Sequence, residues 1–471
     1  MTEAPVRPYD VRLVPAAGAA WGSTIAGILC GSSVAGVATM VWICVAALSF
    51  GLRGRLGGRW TGLVAAAVIG CCFSGAVTLH AWSAETSPVA SAAHDGAWVS
   101  AAAVVREDPR LLTFPGPPTV SLRAELRQID IAGVPVELGG RISVLAPAEG
   151  WDAVVPGQSV VVRGKLSPPD RANLTLGILR THGPPLRVEQ PGAVAKSASA
   201  VRSSLDLAAA DALPPDRAGL LTALVVGDVS ALPEDIENAL RAAGLAHLTA
   251  VSGANFAIVL GAVLLLARSV GVGPRTTAVV CTVVLLAFVV VARPSPSVLR
   301  AAVMGGVGVL ALVTGRRRQA VPALCTAVVG LLARWPELAV DYGFALSVAA
   351  TVGLVLVAPV WVDWLRRRGW GRASAEIVAV AAAAHAVTAP IVAAMAGTFS
   401  VVGVLANIAV APVVAPITVV GAAAAVLAPW ATLPASLVLH LASAPLWWLV
   451  AVARWAESLP AAGLSTPTGP A

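Results

Sequence analysis

The hydrophobic residues of this chain lie in long uninterrupted stretches that short polar loops separate. An apolar run of roughly 20 residues is long enough to cross the hydrocarbon core of a bilayer as a helix. The pattern therefore predicts a mainly α-helical, polytopic membrane bundle of about 10–11 spans, among which the stretch at 319–333 is short and the stretch at 400–428 is long. The predicted spans are residues 16–31, 33–50, 61–79, 248–267, 276–292, 297–314, 319–333, 339–360, 375–395, 400–428 and 432–453.

A more polar region, residues 80–196, follows the third predicted span. Its Val, Ile and Leu residues partly alternate with polar ones, and Pro-Gly turns separate the runs, which is typical of β-strands. About five short strands predict a small β-rich domain; an OB-like barrel has that number of strands, and another small β-domain would give the same pattern. The predicted strands are residues 98–105, 120–131, 141–145, 159–166 and 174–179.

Residues 197–247 connect this insert to the remaining spans. Ala198–Leu213 has the pattern of an amphipathic helix, Pro214 and Pro215 end it, and two more helices are predicted at 216–227 and 233–243. We expect all three to be amphipathic or surface helices. The predicted order is membrane spans at 1–79, β-domain at 80–196, amphipathic and surface helices at 197–247, membrane domain at 248–455 and a flexible tail at 456–471.

Composition and charge agree with a membrane protein and predict its orientation. Hydrophobic residues make up 57% of the chain and charged residues 12%, about half the charged fraction of soluble domains. The net charge of +7 comes mainly from Arg clusters in alternate loops, and such clusters mark the cytoplasmic side. The insert is therefore expected on the extracytoplasmic side of a bacterial inner (plasma) membrane. The clusters are Arg53, Arg55 and Arg59, then Arg268 and Arg275, Arg316–Arg318, and Arg366–Arg368 with Arg372; the opposite loops hold Arg293 and Arg334.

Five motifs stand out in the C-terminal half: GDVSALP at 227–233, GLAHLTAVSG at 244–253, RPSPSVLRAAVM at 293–304, DYGFALS at 341–347 and GVLANIAVAP at 403–412. In residues, order and spacing they resemble the ComEC competence proteins, over roughly residues 200–455. The chain departs from that family at Val229, where the family often has Arg, and at residues 254–256, where the family has Leu-His-Val. No histidine role can therefore be transferred to the position after Gly253.

The resemblance implies a channel that imports single-stranded DNA during natural transformation. It also implies membrane lipids, a separate DNA receptor, a cytoplasmic ATPase, a separate nuclease and a second copy of the chain in a homodimer as partners. The residues agree on the ATPase, since the chain has no Gly-rich phosphate loop that ends in Gly-Lys-Ser or Gly-Lys-Thr. Two alternatives stay open: a transporter of a small or lipidic solute on the same fold, and a non-transporting membrane scaffold.

We expect no enzyme activity, no cofactor and no metal in this chain. Many members of the family continue into a metallo-β-lactamase-like domain, the nuclease, whereas this sequence ends at Ala471. A hydrolytic site of that kind needs several imidazoles and carboxylates converging on its metals. The six histidines are scattered singly, at His80, His94, His182, His247, His385 and His440.

Polar residues in or beside the apolar segments are the candidates for a DNA path. His247 and Ser252 flank the start of a span, and Asn255 lies three residues after Ser252 on the same helix face. One interpretation is a loosened helix that lines a polar path, which the resemblance supports. The other is a capped helix start with one buried interhelical hydrogen bond.

Arg300 and Asp341 lie near the ends of predicted spans. Arg300 is about one turn inside the span that follows Pro294 and Pro296. An inward-facing Arg can bind a phosphate through a forked pair of hydrogen bonds, whereas an Arg near a helix end can also reach the headgroups. Asp341 is expected to cap a helix N-terminus, with an ion pair to Arg300 as the alternative.

Asn407 lies between Gly403 and Pro412, with Pro416 beyond it. The two prolines predict unwound backbone at membrane depth, which is tolerated only where it is buried in protein or faces water. This segment is therefore a second candidate for the path.

The remaining candidates lie outside the predicted spans. Gly227, Asp228 and Pro233 belong to the turn between two predicted surface helices, where Asp228 is expected mainly to be solvated. Single strands are usually held by a basic groove with stacking aromatics, but the aromatics Trp98, Phe114 and Trp151 are few and are equally suited to a core. The candidate DNA contacts in the insert are Arg123, Arg127, Arg163 and Lys165.

Overall fold

The computed structural model describes residues 10–56, 60–112, 117–151, 153–169, 173–249, 253–293, 296–314, 320–396, 398–399, 402–459 and 464–465. The chain divides into two compact units. One unit comprises residues 15–197 and 332–340, and the other comprises residues 1–14, 198–331 and 341–471.

Helix α1 (Val14–Gly51) consists of two arms that meet at Gly31. The φ of 82° and ψ of −179° at Gly31 are open essentially only to glycine. The Trp42 indole donates a hydrogen bond to Ser23 Oγ at 2.7 Å, although in a continuous helix these two residues would lie about 28 Å apart. The arms therefore fold back on each other, in agreement with the separate apolar runs predicted at 16–31 and 33–50.

Helix α2 (Arg53–Leu56) is followed by α3 (Trp60–Glu85), which packs on α1 through small residues. A β-carbon on Gly70 would lie 2.5 Å from the Trp42 ring, so the close approach requires glycine. Thr39 Oγ1 donates to Ser74 Oγ at 3.0 Å. Such small and hydroxyl side chains are typical of contacts between membrane helices.

A seven-stranded mixed β-sheet follows the short helix α4 (Pro88–His94). Its strands are β1 (Trp98–Val105), β2 (Arg110–Leu112), β3 (Thr119–Ile131), β4 (Val134–Pro147), β5 (Ser159–Ser167), β6 (Thr175–Arg180) and β7 (Arg187–Val188). Five of them pair in a closed ring in the order β1-β3-β4-β6-β5, because β1 pairs with both β3 and β5. The β4–β6 pair is parallel and the other pairs of the ring are antiparallel.

The inner face of the ring encloses an apolar core. Burial alternates along β1 and β5, as the sequence pattern predicted. Trp151 is fully buried there, and its Nε1 donates to the Gly183 carbonyl oxygen at 3.1 Å. A β-carbon on Gly164 would lie 2.3 Å from the Arg180 carbonyl oxygen, so the approach of β6 to β5 requires glycine at that position.

From residue 193 onward the described chain is almost wholly helical. The helices are α5 (Ala193–Ala212), α6 (Pro215–Val226), α7 (Glu234–Ala242), α8 (Gly253–Ser269), α9 (Pro274–Ala292), α10 (Pro296–Thr314), α11 (Ala320–Arg334), α12 (Tyr342–Val352), α13 (Ala358–Arg367), α14 (Arg372–Ala396), α15 (Val402–Leu427), α16 (Thr432–Leu439) and α17 (Ser443–Glu457). A π-helical turn, Gly353–Val357, joins α12 to α13, and a 3-10 turn, His440–Ala442, joins α16 to α17. Two short strands, β8 (Thr398–Phe399) and β9 (Leu464–Ser465), pair with each other.

Seven helical segments of the described residues are long and apolar enough to cross a membrane. Together with the β-sheet, these helices confirm the prediction of a mainly α-helical membrane protein with an additional β-domain. Three shorter apolar helices accompany them: Gly253–Ser269, Val298–Leu310 and Ala320–Arg334. The seven long segments are Val14–Gly51, Trp60–Glu85, Pro274–Ala292, Tyr342–Arg367, Arg372–Met395, Val402–Leu427 and Thr432–Glu457.

Helix α6 is not the surface helix that we expected. Every residue from Ala218 to Val226 is buried, because α6 packs against both α15 and α17. A β-carbon on Gly421 of α15 would lie 2.2 Å from Val225 Cγ2. The side chain of Val225 thus occupies the space that glycine leaves in α15.

Helix α15 runs unbroken through Pro412 and Pro416. The prediction of unwound backbone in this segment is therefore wrong. Membrane helices tolerate proline where neighbouring helices and local adjustments satisfy the freed carbonyl groups, and the buried face of α15 packs on α6 and α17.

Candidate functional site

Arg300 is a buried cation among apolar helices. It lies in the second turn of α10, and 6% of its surface is exposed. Its Nη1 donates to the hydroxyl of Thr351 on α12 and lies 3.8 Å from the sulfur of Met304. Its Nε has no hydrogen-bond partner, and no carboxylate pairs with the guanidinium, among the residues that the structure describes. Within the described part of the bundle, Arg300 is therefore a positive charge without a negative partner.

The guanidinium of Arg300 touches the first residue of α8. A β-carbon on Gly253 would lie 3.0 Å from Arg300 Nη2. The N-terminus of a helix carries partial positive charge, and its first amides point beyond the helix end. A cationic side chain and a helix N-terminus thus meet at one point, which favours an anion there.

Asn255 joins α8 to α6. The side chain is fully buried, and its Nδ2 donates to the Leu224 carbonyl oxygen at 2.8 Å. This arrangement corresponds to the buried interhelical hydrogen bond, the second of the two interpretations. Ser252 lies outside the described residues, so its place in a polar path stays a prediction.

Asp341 caps α12. Its Oδ1 accepts a hydrogen bond from the Phe344 backbone N–H at 2.7 Å. The prediction of a helix cap is confirmed. In the described parts of the chain no ion pair joins Asp341 to Arg300.

His247 and Asn407 lie at a second place, where the loop before α8 meets the start of α15. Asn407 Nδ2 donates to the Gly403 carbonyl oxygen one turn earlier, at 2.7 Å. His247 is exposed, and its Nδ1 lies 3.2 Å from the Gly244 carbonyl oxygen. A β-carbon on Gly244 would lie 3.2 Å from Gly403 Cα. The structure therefore does not gather the predicted path residues at one site: Arg300 lies beside α8 and α12, Asn407 lies one turn from Gly403, and Asn255 and Asp341 have separate structural contacts.

A buried ion pair anchors the motif at 227–233. Arg202 on α5, of which 5% is exposed, donates from Nη2 to Asp228 Oδ2 at 2.8 Å. Its Nη1 donates to the carbonyl oxygens of Val226 at 2.6 Å and Val291 at 3.2 Å. Gly227 ends α6 with a φ of 74°, a conformation that favours glycine. The expectation that Asp228 is mainly solvated is therefore wrong.

The motif ends at Pro233, which occupies the N-cap position of α7. The fixed φ of proline suits this position, because the helix has no use there for the N–H that proline lacks. Pro233 thus has a structural role in starting α7.

Asp206, one turn along α5 from Arg202, lies beside the same ion pair. Burial, and next the negative charge of Asp228, raise the pKa of Asp206 to about 6. Burial alone would raise the pKa of Asp228 as well, but Arg202 and the hydrogen bonds from Ser230 outweigh it, so that the pKa of Asp228 lies below its ordinary value. Asp228 thus holds the guanidinium, while Asp206 lies nearby with its Oδ1 buried and without a hydrogen-bond partner among the described residues, beside a small cleft between α5 and α6.

The four cations predicted as DNA contacts in the β-domain differ in their surroundings. Arg123 Nη1 lies 3.2 Å from Glu107 Oε1 in an ion pair. Arg127, Arg163 and Lys165 are exposed, and none has a carboxylate partner among the described residues. The last three are therefore available to an anionic ligand.

Sequence reasoning missed Arg202, Asp206 and Thr351. Arg202 carried a signal, because it occupies the apolar face of α5 with Ala198 and Leu205, where an arginine is rarely left without a partner. Thr351 carried none, since hydroxyl residues are common in membrane helices and its partner is distant in sequence.

Comparisons with known proteins agree with the motifs. A family model described as "Competence protein" matches residues 224–471, a range that includes all five motifs. "ComE operon protein 3" of Bacillus subtilis (strain 168) is 30% identical over 149 residues, which make up 32% of this chain and 19% of that protein. The match thus spans about a fifth of that relative. No solved structure matches the chain.

Proposed function

Because the chain belongs to the competence protein family, we propose that it is a membrane channel for the import of single-stranded DNA during natural transformation. Membership in the family supports a role in DNA uptake. The observation that carries the channel itself is Arg300, a guanidinium held between α8, α10 and α12 without a carboxylate among the described residues.

The physical case for a DNA path rests on the cost of this charge. An arginine at the centre of a bilayer costs about 2.5–3.5 kcal/mol on insertion scales, and the cost is smaller for a residue one turn inside a span, as Arg300 is. An arginine that served only as an anchor would extend to the headgroups, whereas Arg300 is turned into the protein and is 6% exposed. A passing phosphodiester supplies the missing negative charge, and each following phosphate replaces the last.

The membrane arrangement that we propose has eleven spans. It counts the two arms of α1 separately and adds the three shorter apolar helices to the long ones. The alternation of Arg-rich and Arg-poor loops then leaves the β-domain on the extracytoplasmic side. The β-domain is proposed to be an OB-type barrel, which the five-stranded closed ring supports.

The partners that we propose are those that membership in the competence protein family implies. Since the sequence has no phosphate-binding loop, a separate cytoplasmic ATPase would supply the energy for transport. A separate receptor would deliver the DNA, a separate nuclease would produce the single strand, and two copies would assemble as a homodimer.

Uptake of labelled DNA by competent cells tests the proposal. The variant Arg300→Gln keeps a polar, unbranched side chain, although a shorter one, and removes the charge. A hydrogen bond to a charged group contributes about 1.5–3 kcal/mol, so the DNase-resistant label should fall by roughly 10- to 100-fold. In Arg300→Lys, which retains the charge but not the forked pair of hydrogen-bond donors, the label should fall less.

The matched control is Arg268→Gln, an exposed arginine at the end of α8. It should take up DNA as the unmodified chain does, with both variants compared at equal amounts in the membrane. Normal uptake by Arg300→Gln would contradict the proposed path. Normal uptake after deletion of the whole chain would remove the channel and leave the solute transporter or the scaffold.

A further inference from the structure

Three neighbouring strands of the β-domain place an aromatic ring and two cations in one row. Trp98 on β1 lies opposite Lys165 on β5, and Lys165 lies opposite Arg180 on β6. Residues paired across antiparallel strands project from the same face, with β-carbons about 4.5–5.5 Å apart. All three side chains are exposed, and Trp98 is 57% exposed. They therefore form a continuous strip on the outer surface.

Two further residues extend this row. His182, just after β6, stacks on Trp98 with 5.8 Å between ring centroids and 28° between ring planes. Arg163 lies two residues before Lys165 and therefore on the same face of β5, about 6.6 Å away along the strand. We call these five residues, Trp98, Arg163, Lys165, Arg180 and His182, the Trp98 strip.

The cations of the Trp98 strip carry unbalanced charge. No ion pair involves any of the three within the described parts of the chain. Elsewhere on the same domain Arg106 and Arg123 are paired with Glu125 and Glu107. The register places one carboxylate beside the strip, that of Asp130 on β3, but its Oδ1 accepts a hydrogen bond from the Gly133 N–H at 2.8 Å.

An exposed indole is informative because the domain also has a buried one. Trp151 fills the core of the ring, as tryptophan usually does, while Trp98 keeps its ring at the surface among cations. Proteins hold single-stranded nucleic acid in this way, with bases stacked on aromatic rings and phosphates in a basic groove. Tryptophan and basic residues also occur together at membrane surfaces, and that occupant is separated by the experiment below.

We propose that the Trp98 strip binds single-stranded DNA, with one base stacked on Trp98 and the neighbouring phosphates held by Lys165, Arg180 and Arg163. The choice of ligand rests on the proposed function. Binding itself is measured without transport, so the two proposals can fail separately.

Equilibrium binding to the full chain in nanodiscs of neutral lipid tests the strip. The probes are a fluorescent oligothymidine and an abasic strand of the same length. Trp98→Ala should weaken oligothymidine binding by about 5- to 100-fold, the range of one base stack, and should leave abasic binding unchanged. Trp98→Phe keeps an aromatic face and should retain most of the affinity. The control is Trp430→Ala, a tryptophan that is 89% exposed after α15.

The cations give a second, independent readout. The double variant Arg163→Gln with Lys165→Gln should bind both probes more weakly. The slope of log affinity against log salt should become less steep by roughly 0.7 for each lost phosphate contact. The inference is wrong if Trp98→Ala binds oligothymidine as Trp430→Ala does. It is also wrong if Trp98→Ala leaves oligothymidine binding unchanged and weakens only binding to nanodiscs or vesicles that contain anionic lipid. The strip would then be a membrane anchor.

The failure of this inference can be told apart from the failure of the channel. Lost uptake in Arg300→Gln with unchanged binding in Trp98→Ala overturns the strip and leaves the channel. Weakened binding in Trp98→Ala with normal uptake in Arg300→Gln supports the strip and removes the path through Arg300.

Discussion

Replacement of Arg202 by Met should destabilise the helical unit strongly. Methionine keeps the unbranched apolar stem but leaves the carboxylate of Asp228 without its cation, and it leaves the carbonyl oxygens of Val226 and Val291 without their donor. Breaking a buried ion pair by removing one partner costs about 3–5 kcal/mol. Polar contacts in membrane proteins average less, so we expect about 2–4 kcal/mol.

The measurement is the apparent melting temperature in detergent, followed by intrinsic tryptophan fluorescence. The control is Arg241→Met, which breaks an exposed pair with Glu237 one turn away on α7. Such a pair contributes about 0.3–0.5 kcal/mol. Arg202→Met should therefore melt several degrees below the control.

A double replacement separates the ion pair from simple loss of packing. When Asp228→Asn is added to Arg202→Met, the stranded charge disappears and part of the lost stability should return. Equal melting temperatures for Arg202→Met and Arg241→Met would refute the account of this network. The coupling would be refuted if Asp228→Asn lowered the melting temperature of Arg202→Met by as much as it lowers that of the unmodified chain.

Three further predictions concern single contacts. Asp206→Asn should stabilise the protein at pH 7 and not at pH 4, which melting across this range checks. Burial raises the pKa of the Asp206 carboxyl from 3.8 to about 6, so the folded protein loses stability as the pH rises between these values. Gly421→Ala should cost about 1–3 kcal/mol by overpacking against Val225, whereas Gly306→Ala, which meets no atom within 4 Å, should cost nothing in the same melt. Asp341→Ala should cost about 1 kcal/mol through loss of the α12 cap, and a melting temperature equal to that of the unmodified chain would contradict it.

The helices were predictable because the apolar residues that mark a membrane span are consecutive in the sequence. A run of apolar residues must bond its backbone internally wherever lipid surrounds it, and each of the eight C-terminal runs is mainly helical in the residues that the structure describes. The interruption at Gly31 was also visible, as a gap between two runs. The same rule explains the error in α15, since proline breaks an isolated helix but not one that its neighbours support.

The burial of α6 and the closing of the β-ring were harder to predict. The run from Ala218 to Val226 is apolar on all sides, which indicates a buried helix, and this signal was outweighed by the polar turn that follows it. The five strands of the ring were visible from their alternation, whereas the short strands β2 and β7 and the first half of β4 were not predicted. Their pairing was not, because the parallel β4–β6 contact depends on residues far apart in sequence.

The candidate sites divide in the same way. The cap role of Asp341 follows from its position before a helix, and the structure confirms it. The partners of Arg300 could not be predicted, because Gly253 and Thr351 reach it from two other helices. The exposure of Trp98 was likewise undetermined, since either face of a strand can hold a tryptophan.

The most direct test of the central claim is a cross-link from the wall of the proposed path to DNA in transit. A photoreactive benzophenone at position 304, whose methionine contacts Arg300, would be compared with one at position 265, an exposed leucine on α8. During uptake of labelled DNA, position 304 should cross-link to the incoming strand and position 265 should not. Continued uptake with no cross-link at position 304 would contradict a path beside Arg300.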